Sequence, residues 1–183
     1  MIVIVLMLFL VIVFLFFMLN FYMRLAVTDS QTNLKNYRWF AKHIELLVKK
    51  HQNNSDFIFS VALIDIVNFR RFNNMSISSG DNILENFAFE LYTFFKNKNC
   101  NVVRYRLGDE FAIIFKMKNE EEANQMLKDF IIYLNEIAFE NLFNNQLEKI
   151  SIRHFASQFA KNDDYQSFII RLEQGLVYQK TKK

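Results

Sequence analysis

Long apolar runs alternate with short polar interruptions along the chain, and the spacing within each run predicts its element. From Ile2 to Leu19 every residue is apolar, and Asn20, Phe21, Tyr22 and Met23 carry the run to an aromatic edge. At ~1.5 Å per residue, a helix of this length covers the ~30 Å hydrocarbon core of a bilayer. Leu34, Trp39, Phe40, Ile44, Leu46 and Leu47 then recur at helical spacing. They predict a helix from Thr32, capped by Thr28 or Asp29, that runs out in the polar stretch from His51 to Ser55. Phe57 to Ile66 is apolar almost throughout and predicts a central strand, with Asp65 as a lone carboxylate near its end. After a polar turn region, Ile83, Leu84, Phe87, Leu91 and Phe94 place a helix over Asp81 to Lys96. Between Asn101 and Met117 two β-rich runs flank Gly108 and Asp109, the pattern of a hairpin with Asp109 and Glu110 at its tip. Glu120 to Phe143 predicts a helix with acids in its first turn, Ile150 to Phe159 a strand, and Asp163 to Lys180 a closing helix. The order is that of an α+β fold, an antiparallel-containing sheet covered by helices.

Composition divides the 183 residues into a membrane helix over 1–23 and one domain over 24–183. No Lys or Arg precedes Arg24 and no small-residue cleavage step follows the apolar run, so it reads as an anchor rather than a cleaved signal. Arg24, Lys35, Arg38 and Lys42 follow the span, and positive flanks stay inside. The expectation is a single-pass protein of the inner (cytoplasmic) membrane with its C-terminal domain in the cytoplasm. Cys100, the lone cysteine, fits a reducing compartment. A net charge of +3, spread over 22 basic and 19 acidic residues without a dense block, gives no case for nucleic acid. With only three glycines and no proline, Gly108 marks a backbone that needs positive φ or a close approach.

Asp65 and the Asp109–Glu110 pair would meet if their strands were sheet neighbours, and such a cluster suits Mg²⁺ and phosphates. On spacing alone, acids at strand ends and hairpin tips are more often solvated turn residues. The motifs go further. Arg106-Leu107-Gly108-Asp109-Glu110-Phe111 resembles the R-x-G-G-D-E-F signature of the GGDEF family, whose active members are diguanylate cyclases. Upstream, Asp29, Thr32, Leu34, Asn36, Arg38 and Phe40 match D-x-L-T-G-L-x-N-R-R-x-F. Asp65, Ile66, Phe69 and Asn73 match D-I-D-x-F-K-x-I-N-D, and Gly80, Asp81 and Leu84 are similar to G-D-x-x-L. Near the end, Glu173, Gly175, Leu176 and Lys180 fall on A-D-x-A-L-Y-x-A-K. Each block is a weak signal, but the ordered set covers residues 28–183.

The resemblance implies a palm-like nucleotide cyclase fold with a five-stranded sheet. It also implies a homodimer in which two GTP, one per protomer, are joined into cyclic di-GMP with release of two pyrophosphates. Carried over by position, Asp65, Asp109 and the Ile66 carbonyl would bind Mg²⁺ or Mn²⁺. Glu110 would assist with the metal or the 3′-hydroxyl, Asn73 and Asp81 would read guanine, Arg70 and Lys180 would contact phosphates, and Gly108 would let the turn lie against GTP. The departures are specific. One glycine of the signature is lost or replaced by Leu107, Val67 stands where the family has a second Asp, and the loop between Asn73 and Asp81 is one residue short. Lys98-Asn99-Cys100-Asn101 replaces the inhibitory R-x-x-D. Two readings follow: a membrane-anchored diguanylate cyclase, or a degenerate module that binds GTP or a partner protein without turnover.

Overall fold

The computed structural model describes residues 2–54, 56–106, 108–141 and 146–181. Helix α1 (Ile2–Ala26) is apolar from Ile2 to Leu19 and carries Asn20 and Arg24 near its end, and its stretch Ile4–Ala26 is long and apolar enough to cross a membrane, with none of it buried. Helix α2 (Tyr37–Asn53) begins five residues later than the periodicity predicts. Asn36 is the true cap, its side chain accepting from the Trp39 N–H at 3.1 Å. Asp29 instead closes a tight turn, accepting from the Thr32 N–H at 2.9 Å and the Thr32 hydroxyl at 2.7 Å. The segment between them is tied to the domain by bridges from Lys35 to Thr28 and to Val103. Two cap-competent residues lay within reach of the apolar stripe, and the second prevails because the first is engaged in the turn.

Strand β1 (Phe59–Ile66) is buried along its whole length. A short α3 (Arg70–Met75) and α4 (Ile77–Phe95) follow, so the polar turn region is itself helical and α4 starts four residues ahead of Asp81, capped by Ser76. The hairpin pairs β2 (Cys100–Arg104) with β3 (Glu110–Lys116), and α5 (Glu120–Glu136) carries a full capping box at Asn119 and Glu122. The predicted continuation of α5 to Phe143 is corrected: β4 (Phe139–Asn141) and β5 (Gln146–Glu148) pair as a small separate ribbon, while Phe143 itself lies outside the described residues. Strand β6 (Ile152–Gln158) and helix α6 (Tyr165–Thr181) complete the chain.

The main sheet has the order β2-β3-β1-β6, every pair antiparallel. It holds four strands rather than the five that the family resemblance implies. Alternation along β1 sends Ala62, Ile64 and Ile66 to a core with α4 and α5, and Val61 and Leu63 to a second core with α2 and α6. Asp65 sits on the second face, at the strand's end, beneath the C-terminus of α6.

Helix α6 is fastened to β6 by a clamp. Arg171 donates to both oxygens of Asp163 at 2.6 Å, to the Ser157 hydroxyl at 3.1 Å and to the Gln158 carbonyl at 2.9 Å. The hydrogen bonds from Arg171 hold the Asp163 carboxyl below the usual range, against the opposing effect of burial. A carboxylate with a depressed folded pKa stabilises at pH above its unfolded value and loses that contribution as pH falls through the folded one. Asp163→Asn is therefore expected to lower Tm at pH 7 by the equivalent of about 1 kcal/mol, allowing for the partly exposed guanidinium. The deficit should shrink on acidification below the ordinary carboxylate range, which thermal melts across that range would reveal.

Candidate functional site

The sequence leaves open whether Asp65 and the hairpin meet, and the register answers it. Asp65 pairs directly with Glu110 across β1 and β3, and with Arg153 across β1 and β6, so the three side chains share one face at one sheet end. The Ile66 N–H donates to the Asp109 carbonyl at 3.4 Å, which brings the hairpin turn alongside the end of β1. The turn is longer than a two-residue Gly-Asp connection: the last contacts are Arg104 opposite Phe111 and the Tyr105 N–H donating to Glu110 O at 3.0 Å. Glu110 is consequently the first residue of β3, and Asp109 alone of the pair lies in the turn. Gly108 has φ +110° with open space where a Cβ would stand, so conformation rather than crowding calls for glycine. Leu107 lies outside the described residues.

Asp65 is almost fully enclosed. Its Oδ1 lies 2.6 Å from Lys180 Nζ and its Oδ2 3.4 Å from Arg153 Nη1. Lys180 also reaches Glu110 Oε1 at 3.0 Å. Burial works against the Lys180 charge, yet hydrogen bonds to Asp65 and Glu110 win, and its pKa is raised. Asp109, half-buried, has its carboxyl pushed above the usual range by burial and then by the field of Asp65, which Lys180 only partly offsets. Beneath the turn the Arg104 guanidinium is buried over the Phe111 ring, with Asp29 and Asp109 as its neighbouring charges. Arg106 and Tyr105 both bond Glu173 of α6, fixing the hairpin against the helix that carries Lys180.

A second group forms on α3 and α4, just beyond the end of β1. The Asn73 side chain lies over Gly80, where any Cβ would overlap its amide oxygen. Asp81 follows at once, and its Oδ1 accepts from Gln31 Nε2 at 2.6 Å. Arg70 opens α3, exposed, with no ion pair among the described residues. Of the predicted site residues, Asp65, Asp109, Glu110 and Lys180 gather at one sheet end with Ile66 and Gly108 as their chain neighbours, while Asn73 and Asp81 flank Gly80 in a second group and Arg70 lies on the same short helix as Asn73. Sequence reasoning missed Arg153 and Gln31. Arg153 became visible only through strand register, and Gln31 occupies a place where the family motif has leucine.

The carboxylates of Asp65, Asp109 and Glu110 are hard oxygen donors of the kind a divalent cation takes, and burial first, then the field of Asp65, raises the Asp109 pKa. Among the described residues no group of three or more His, Cys, Asp or Glu is arranged to hold a metal by protein ligands alone. Mg²⁺ rarely needs such a cage; one or two carboxylates, waters and substrate phosphates suffice.

The GGDEF domain of DgcB from Caulobacter crescentus, solved in complex with c-di-GMP, superposes with a TM-score of 0.76 at 21% identity, over 85% of this chain and 88% of that one. A DgcB structure containing coiled coil and GGDEF domain gives 0.84 at 20% identity, over 92% and 88%. The GGDEF domain of FimX from Pseudomonas aeruginosa gives 0.76 at 19%, over 86% and 95%. Comparison with curated protein sequences finds no match. The family described as "Diguanylate cyclase, GGDEF domain" matches residues 26–183, and the chain is a member of that GGDEF family.

Proposed function

We propose that the chain is a membrane-anchored diguanylate cyclase, with residues 1–23 as anchor and 24–183 as a cytoplasmic catalytic domain that works as a homodimer on GTP. The observation that carries this reading is the convergence of Asp65, Asp109, Glu110 and Lys180 at one sheet end, next to the Asn73–Asp81 pair. Asp65 and Asp109, with the Ile66 carbonyl, would hold Mg²⁺ or Mn²⁺. When bound, the ion neutralises phosphate charge that the protein's cations cannot offset alone. Asp81 would accept the N–H groups of guanine's Watson–Crick edge and Asn73 would bond the same base, fixing each GTP in place. Gly108 lets the turn lie close to the triphosphate, and Arg70 and Lys180 would bind its oxygens. The 3′-hydroxyl of one GTP attacks the α-phosphorus of the GTP on the other protomer. Its O–P bond forms as the bond to pyrophosphate breaks, and Glu110 would receive the hydroxyl proton. The chain's part is positioning and charge, which is most of what phosphoryl transfer asks of a protein.

One observation favours the second reading, a module that binds without turnover: Lys180 and Arg153 already pair with Asp65, Lys180 with Glu110, and Gln31 with Asp81. The chain with its anchor, reconstituted at high density and supplied with GTP and Mg²⁺, should release cyclic di-GMP and two pyrophosphates per product. GTP binding by calorimetry with no product would favour the second reading instead.

A further inference from the structure

Where α1 meets the domain, a cavity of about 470 Å³ opens between its last turns and the start of α2. Met23, Arg24, Arg38, Trp39, Lys42 and Leu46 are on its walls, and no Asp or Glu lines it. Arg38 and Lys42 are four residues apart on α2 and so share a face, while Arg24 comes from the last turn of α1. All three are exposed, and none makes an ion pair among the described residues. The elbow that shapes the cavity is fixed, since Asn36 donates from its side chain to the Ala26 carbonyl and from its backbone to the Val27 carbonyl, both at 3.0 Å. The Trp39 indole is held as well, stacked on His43 with ring centroids 4.3 Å apart. His43 adds no charge, because burial and Lys116 bring its pKa down to about 4.

We infer that Arg24, Arg38 and Lys42 form a binding site for the phosphate headgroup of an anionic phospholipid, with Trp39, Met23 and Leu46 facing the acyl boundary. Three uncompensated cations beside an apolar wall, continuous with an unburied apolar helix, match a headgroup above its chains. Trp39 fits the interfacial preference of indole, which has an apolar body and a polar tip. The site would hold α2 against the membrane and so set which face of the domain is free to meet its partner protomer. This inference rests on the anchor reading, not on cyclase activity.

Trp39 is the only tryptophan in the chain, so its fluorescence reports on this site alone. The full chain is reconstituted in vesicles carrying brominated phosphatidylcholine or, at equal mole fraction, brominated phosphatidylglycerol. The expected result is stronger quenching by the anionic lipid. Its preference should fall roughly fivefold for each of Arg38→Gln and Lys42→Gln, and decline with salt. Equal quenching by the two lipids, or none by either, in protein that floats with the vesicles after alkaline extraction would overturn the headgroup site and leave the anchor standing. Protein that does not float would overturn the anchor and this site together, with the cyclase assay unaffected.

Discussion

Asp109→Asn is expected to lower cyclic di-GMP formation by on the order of 10²–10³-fold or more while leaving the fold intact. Asp109 is one of the two carboxylates proposed above to hold the divalent ion, and Asn cannot supply the charge. Loss of fold is not the cause to expect. Burial and the neighbouring Asp65 already disfavour the ionised Asp109 side chain, so a neutral isostere relieves repulsion. The variant should melt no lower than the parent in metal-free buffer at neutral pH. Product quantified by chromatography alongside thermal melts separates the two causes. A variant retaining activity within about tenfold of the parent would remove Asp109 from the chemistry.

Gly80→Ala should have the opposite signature to a destabilising core change. Gly80 lies inside α4, where Ala is favoured by up to about 1 kcal/mol. Against this, a methyl group there would overlap the Asn73 amide oxygen. Asn73 is exposed and at the far end of a rotatable side chain, so it can swing away at little cost to the fold. The expected outcome is an unchanged or slightly higher Tm with GTP affinity weakened by about tenfold or more, the worth of one hydrogen bond left unmade. Calorimetric titration with GTP, and with ATP as the control, would show it as a loss of guanine preference. Undiminished guanine affinity would mean that Asn73 does not read the base.

These expectations rest on parts of the molecule that differ in how visible they are in sequence. β1 and the hairpin were legible because buried strands write themselves as apolar β-branched runs, and Gly108 because few residues other than glycine adopt φ +110°. The family motifs supplied Asp65, Asp109, Asn73 and Asp81 without the fold. What failed were boundaries set by competition between local groups. Asp29 and Asn36 both suit a helix cap, and only the turn closed by Thr32 shows that Asp29 is taken. The end of α5 was hidden because the apolar spacing continues past Glu136, although Phe139 is buried in a strand of the β4–β5 ribbon. Arg153 carries no local signature; its place beside Asp65 follows from pairing residues 88 positions apart.

The acidic sheet end as a metal and triphosphate site is tested most directly by locating Mn²⁺ itself, through anomalous scattering from crystals of the protein with a non-hydrolysable GTP analogue. The predicted result is a manganese peak bound by Asp65 and Asp109, with the phosphates beside Lys180 and the guanine at Asn73 and Asp81. A well-ordered nucleotide with no manganese at these carboxylates, and Lys180 still bridging Asp65 and Glu110, would contradict it.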